Sequence, residues 1–220
     1  MSDNTMRFKY LSHNIISNMS QQYGDFDFNL LLGTAVDDTK TNSDYKMAWN
    51  FSVPDFFSYA NATTANKQFA HSASHKRLLG VFGEFRTSWR NMVYLTVTGR
   101  NDWTSTLPVA NRSYFYPSAS ASFVFTELLQ KQGWLSSDIL TFGKIRASWA
   151  KVGKDTGAYE TNTSLWPVGT YLSGLVGVGN TWSRGNPYLK PEMTKSTELG
   201  LELGFFNNRL HFDYAYYTND

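Results

Sequence analysis

At 220 residues the chain has room for one domain with a sizeable core, and its 20 Lys+Arg against 18 Asp+Glu leave a net charge of +2, with no clustered basic face to suggest nucleic acid. It contains no cysteine, which excludes a disulfide framework and a thiolate metal site. Aromatic residues make up 16% of a chain whose mean hydropathy is -0.39, and no run approaches the roughly 18 apolar residues of a spanning helix.

A chain rich in aromatics yet hydrophilic on average suits strands whose membrane-facing residues alternate with polar ones. It equally suits a soluble all-β lectin or propeller, so the order of elements has to decide. The first segment, about Met6 to Ser20, is a noisy strand. Next, Phe26, Phe28, Leu30 and Leu32 alternate with Asp25, Asp27 and Asn29. Leu79, Val81, Phe85 and Trp89 oppose Phe82, Glu84 and Arg86, and Val93, Leu95 and Val97 oppose Tyr94, Thr96 and Thr98. Ala119, Ala121, Phe123 and Phe125 oppose a serine row, and Ile145, Ala147 and Trp149 oppose Lys144, Arg146 and Ser148. The clearest hairpin is the last: Thr197, Leu199, Leu201, Leu203 and Phe205 oppose Glu198 and Glu202, then Leu210, Phe212, Tyr214 and Tyr216 oppose His211 and Asp213. Period-2 patterning of this kind predicts half-buried β-strands.

The connections are expected to alternate short and long. They run Gln21 to Gly24, Val36 to His75, Arg90-Asn91, Asn101 to Ser113, Glu127 to Asp138, Val152 to Thr194 and Asn207-Asn208. Outer-membrane barrels keep that parity, with short periplasmic turns and longer extracellular loops, whereas a sandwich or propeller has no reason to. On the apolar faces of the last seven strands the basic residues are Arg77 and Lys151, both at predicted extracellular ends and expected to reach outer-leaflet phosphates. A cation at the lipid midplane would cost roughly 2–4 kcal/mol and far less near the interface. Aromatics gather near strand ends, with Phe26, Trp89, Phe125 and Phe205 on one side and Phe115, Trp149 and Tyr216 on the other.

Specific residues then resemble a known family. The stretch Gly99-Arg100-Asn101-Asp102-Trp103-Thr104-Ser105-Thr106-Leu107-Pro108, continuing from Asn111 to Ser118, looks like the barrel signature of SusC/RagA-like, TonB-dependent transporters. So do Lys144 to Gly153, Asn186 to Glu192 and Gly204 to Leu210, while the first 75 residues match in style only. The chain departs from the family at Lys154, commonly Asn, and at Ala150, commonly Gly. The resemblance implies an importer of the Bacteroidota outer membrane taking glycans or peptides, paired with a SusD-like surface lipoprotein and energised by TonB. Such transporters have about 22 strands and a plugged lumen. The expectation is therefore an all-β antiparallel meander of about eight strands, residues 1–220, forming part of a transmembrane β-barrel. Plug, signal peptide and remaining strands are expected to lie outside it, since Met1 to Arg7 carries no apolar signal core and the last strand breaks off at Tyr217-Thr218-Asn219-Asp220.

Candidate sites divide by side. Glu84, Arg86, Lys144, Arg146, Glu198, Glu202 and Asp213 are expected to line the lumen. The loop aromatics Trp103, Trp166, Tyr171, Trp182 and Tyr188 are candidates for binding oligosaccharide or peptide, because aromatic faces pack on sugar rings while their polar edges stay wet. Packing against neighbouring loops or the lipoprotein is the competing role. No catalysis, metal or cofactor is expected. His71 and His75 are four apart but fall in a polar loop with no carboxylate expected nearby. Glu198 and Glu202 have carboxylate-pair spacing yet suit pore lining better, and the Gly169 to Gly185 run lacks the Gly-Lys-Ser/Thr ending of a phosphate loop. Outer-membrane lipid is the expected surrounding. Rival readings are a self-contained eight-stranded barrel (adhesin or porin), a soluble carbohydrate-binding β-sandwich and, weakest, a glycoside hydrolase.

Overall fold

The computed structural model describes residues 1–132, 139–170 and 175–220. One antiparallel sheet of eight strands dominates it. In chain order the elements are β1 (Ser2–Tyr23), β2 (Phe26–Ala48), β3 (Lys67–Trp89), β4 (Val93–Thr104), β5 (Ser113–Val124), α1 (Phe125–Lys131), β6 (Leu140–Lys154), β7 (Leu165–Thr170), β8 (Val176–Asn180), β9 (Glu192–Phe205) and β10 (Leu210–Asn219). The sheet order is β1-β2-β3-β4-β5-β6-β9-β10, and β7 and β8 pair as a separate hairpin between β6 and β9. Every neighbour in the large sheet is thus the next of its strands in sequence, which is a meander.

The turns at one end are as tight as their sequences allow. Gly24, at φ +58°, joins β1 to β2 with Tyr23 paired to Phe26. Arg90 and Asn91, at φ 52° and 57°, join β3 to β4, and Asp25 holds Arg90 through its carboxylate at 2.6 Å. The last turn is longer than the sequence suggests. Phe205 pairs with Leu210, so four residues form it, with Phe206, Asn207 and Asn208 all at positive φ. Asparagine tolerates that left-handed backbone better than other non-glycine residues.

At the other end the sequence reading needs correcting. The expected long loop from Val36 to His75 is mostly strand: β2 and β3 stay paired from Phe26↔Trp89 to Ala48↔Lys67, leaving residues 49–66 as the loop. The reason is physical. Past Val36 both faces carry polar residues, so period-2 contrast vanishes although the backbone ladder continues. The loops after β4 and β6 shrink in the same way, to residues 105–112 and 155–191. Phe125 also differs from expectation, opening α1 rather than ending β5. Its ring covers Gly143, where an added Cβ would collide with it.

The register gives the sheet two faces. On one, Phe26 to Val36, Trp89 to Leu79 and Val93 to Trp103 each present alternate residues over ten steps. Ten steps of about 3.3 Å on a strand tilted by about 45° stand about 23 Å tall, close to the apolar band of an outer-membrane barrel. Among the described residues no second layer packs on this face. Leu199 is 57% exposed, and the buried apolar residues are few and mostly small. A β-sandwich would bury that row, so the soluble reading does not hold. The closed eight-stranded barrel fails as well: β1 pairs only with β2 and β10 only with β9, and every residue of these two edge strands is exposed.

Candidate functional site

The opposite face carries a ladder of paired charges. Register places Lys144 beside Glu202 and Glu202 beside Asp213, with Arg146 and Glu198 on the adjoining rows. The side chains follow the register. Lys144 lies 3.6 Å from Glu202, Arg146 lies 3.3 Å from Glu198 and 3.4 Å from Asp213, and His211 lies 3.6 Å from Glu202. On β3, Glu84 and Arg86 pair at 2.7 Å. The seven residues expected to line the lumen therefore share one face with His211, which alternation had set on the same side. Gly200 makes room for the ladder, since the Arg146 side chain lies across it and a Cβ there would strike it. Partly exposed pairs like these contribute under about 1 kcal/mol each. What they set is the wall's pattern of alternating sign.

A second polar cluster, tighter and drier, sits where β3, β4 and β5 meet the long loops. Asp102, 3% exposed, accepts from Arg100 Nε at 2.7 Å and from the Tyr116 hydroxyl at 2.6 Å. Arg100 in turn lies over the Phe82 ring, 5.5 Å from its centre, and close against Gly80, which has no Cβ to obstruct it. Next to this, Asp155 from the β6–β9 loop accepts from Lys76 Nζ at 2.7 Å, Thr104 Oγ1 at 2.6 Å and Thr106 Oγ1 at 3.3 Å. Asn111 donates to the Leu189 carbonyl at 3.0 Å, so the loop is fixed at both ends. Sequence reading singled out none of these roles. The alternation of Arg100 and Asp102 on one strand face was a legible signal. Asp155 offered none, because its partner Lys76 lies 79 residues away.

The histidines are another correction. His71 and His75 lie on β3, not in a loop, and each has a carboxylate beside it. His71 Nδ1 is 2.8 Å from Asp44 and His75 Nε2 is 3.0 Å from Asp38. Arg77 also donates to Asp38, at 2.6 and 2.9 Å. These bonds, with Arg77 the larger influence and His75 next, hold the Asp38 carboxyl at about 2, well below its ordinary 3.8. Among the described residues no group of three or more potential ligands gathers as a metal site would require.

The loop aromatics divide. Trp103 is not in a loop: it lies on β4 opposite Leu79, on the apolar face. Trp182 is fully exposed and Tyr188 80% exposed, on the connection between β8 and β9. Trp166 belongs to β7, and Tyr171 lies outside the described residues. The structure sets Trp103 on the strand face, apart from the loop residues Trp182 and Tyr188.

A sheet with one lipid-height apolar face, one charge-paired face and turns of alternating length has close counterparts. The family model for the TonB-dependent receptor-like β-barrel matches residues 2–220. The chain belongs to the TonB-dependent receptor β-barrel family. Its strands are accordingly those of a Gram-negative outer-membrane barrel. Among relatives, TonB-dependent receptor P26 of Formosa agariphila is 33% identical over 151 residues, 66% of this chain and 15% of that protein. TonB-dependent receptor P3 of the same organism is 26% identical over 226 residues, covering 98% and 21%. The RagAB peptide transporter structure superposes with a TM-score of 0.86 at 20% identity, over 99% of this chain and 24% of that one. The ferripyoverdine receptor of Pseudomonas aeruginosa gives 0.57 at 16%, over 98% and 25%. These structural likenesses are of fold. The chain spans 15% and 21% of the length of these two curated relatives.

Proposed function

We propose that this chain is a wall segment of a TonB-dependent importer. Its ladder Glu84, Arg86, Lys144, Arg146, Glu198, Glu202 and Asp213 lines the wet interior, and its strand-end loops face outside. The observation that carries this reading is the pair of unlike faces on one open sheet. Lipid cannot hydrogen-bond strand edges, so β1 and β10 take neighbouring strands of the same barrel on both sides. Energy reaches the transporter through TonB acting on a plug beyond this segment. A SusD-like surface lipoprotein contacts its loops, and Trp166, Tyr171, Trp182 and Tyr188 help to hold an oligosaccharide or peptide there. Of these cargoes the peptide has the support of the RagAB likeness. The segment does no covalent chemistry. Glu198 and Glu202, the carboxylates with glycosidase-like spacing, are each occupied by a basic side chain.

The absence of cysteine makes the test direct. Thr96, Ser120 and Ser148 form one cross-strand row on the polar face, and Leu95, Ala121 and Ala147 the adjacent row on the apolar face. Single-cysteine variants of the assembled barrel are treated with a water-soluble maleimide. The first row is expected to label and the second to be protected by lipid; equal labelling of both rows would reject the wall reading. Uptake of labelled peptides and oligosaccharides, with and without an uncoupler of the inner membrane, tests the import step. Uptake indifferent to the uncoupler would count against energisation through TonB.

A further inference from the structure

The 155–191 loop borders a pocket that the charge ladder does not use. Both legs of the loop are tied down. Asp155 is bonded to Lys76, Thr104 and Thr106, and the Leu189 carbonyl to Asn111. Farther along, Asn186 donates its amide to the Glu160 carbonyl at 3.1 Å, and Gly185 donates its amide to Thr163 Oγ1 at 3.1 Å. A Cβ at Gly185 would strike the Asn162 backbone, so the close approach of the legs depends on glycine there. Beside the legs lies a cavity of about 590 Å³, whose lining includes Lys76, Lys154, Asp155, Leu189, Lys190 and Glu192. That volume is typical of small-ligand sites, roughly 300–1,000 Å³.

Parity places the strand residues of this pocket on the polar face. Lys154 falls on the β6 side that carries Lys144 and Arg146, and Glu192 on the β9 side that carries Glu198 and Glu202. Lys76 shares the β3 side of Glu84 and is the partner of Thr39, beyond the last apolar pair Val36↔Leu79. The pocket therefore stands at the upper rim of the wet face.

Its charges do not cancel. The lining holds three lysines against two carboxylates. Asp155 is spent, with one oxygen on Lys76 and the other on both threonine hydroxyls. Lys76 gives a second N–H to the Thr156 carbonyl at 3.3 Å and has a third to offer. Among the described residues Lys154 and Lys190 form no ion pair, and Glu192 does not close on its register partner Lys154. A surplus of N–H donors thus surrounds one open carboxylate. A densely charged anion would be repelled by Glu192. A single carboxylate with an N–H beside it satisfies both signs, and the end of a peptide chain is such a group.

We propose that this pocket holds the C-terminal carboxylate of a peptide cargo between Lys154 and Lys190, with the last backbone amide of the peptide on Glu192. The proposal rests on the reading of the chain as the wall of an importer. Because the legs of the loop are fixed beforehand, little further ordering is needed when the chain end arrives.

The test uses the complete transporter that contains this segment, purified in detergent. The probes are pools of random hexapeptides free of Asp and Glu, prepared as C-terminal acids and as C-terminal amides, with retention read by mass spectrometry. Wild-type protein is expected to retain the acids about ten-fold better than the amides, the weight of one charge-assisted contact. K154Q/K190Q should bring the pools within about two-fold of each other by weakening the acids alone. K40Q, on the outward side of β2, should keep the wild-type preference. Equal retention of acids and amides by wild type would overturn the proposal, as would an undiminished preference in K154Q/K190Q. So would tighter, lysine-dependent retention of oligogalacturonate, which would assign the pocket to an acidic glycan. Failure of the underlying reading looks different: Ser148→Cys and Ala147→Cys would then label equally with maleimide, whereas acids and amides retained alike by a barrel that labels as expected removes the carboxylate site alone.

Discussion

Two stretches of the same pair of strands behave as if they belonged to different proteins. From Phe26↔Trp89 to Val36↔Leu79, β2 and β3 alternate apolar and polar residues without a charge on the apolar side. From Asp38 outward to Ala48↔Lys67 the ladder continues unbroken, but the same side now carries Asp38, Lys40, Asp44, His71, His75 and Arg77. The backbone is common to both; the solvent is not. Within lipid the outward residues carry no charge and are mostly apolar, with Thr34 and Thr87 the polar members on these two strands, while above it the strand is held by its ladder and by cross-strand pairs such as Asp38 with Arg77.

The largest expected effect comes from violating that rule inside the band. Leu201→Arg sets a cation near mid-height on the lipid side, at roughly 2–4 kcal/mol. Heat-modifiable mobility on gels should show loss of the assembled barrel, while Glu202→Gln next to it assembles normally. If both variants assemble equally, the two faces have been assigned wrongly.

A smaller effect is expected at the join between the regions. Asp155→Ala leaves Lys76, Thr104 and Thr106 without their shared acceptor. Hydrogen bonds to a charged group contribute about 1.5–3 kcal/mol each, so limited proteolysis should cut the 155–191 loop faster while barrel mobility is unchanged. Intact loop protection would show that its other contacts suffice.

In the projecting ribbon, acid should act before any single neutral substitution does. The folded-state pKa of Asp38 is depressed, so its contribution is present in full above its ordinary 3.8 and fades as pH falls toward about 2. The protection factors of β2 and β3 amides beyond Asp38, corrected for the intrinsic pH dependence of exchange, should therefore be flat from pH 7 to about 5 and fall between about 4 and 2. Asp38→Asn should shrink that pH step, leaving the part carried by Asp44 beside His71 and Asp37 beside Tyr10. The smallest effect belongs to Asn42→Leu, on the outward side above the band, expected to change stability by no more than about 0.5 kcal/mol. Leu32→Asn, on the same side within the band, should impair assembly clearly in the same gel assay.

The contrast also explains what the sequence disclosed. Inside the band, burial in lipid writes itself into every second residue, so the face of Ala147, Leu199, Leu203 and Phe212 was readable from alternation, while their pairing came from the register. All seven residues of the polar ladder followed from the same signal. Above the band both sides are wet, selection on residue type relaxes, and β2 and β3 passed for a loop. His71 and His75 were misplaced for that reason, and their partners Asp44 and Asp38 went unseen. Trp103 failed differently. It stands at the upper rim, where an interfacial aromatic and a loop aromatic have the same composition and only register separates them. Asp155 depends on a contact no local pattern encodes.

The bare flanks of β1 and β10 impose an order of events on biogenesis. Each is exposed along its whole length and leaves a row of amide and carbonyl groups open at the edge, and removing such groups from water before a neighbour arrives would cost several kcal/mol per group. On the proposed wall reading, neighbouring strands pair with these flanks while the ribbon is still hydrated, or within a protein-lined shelter.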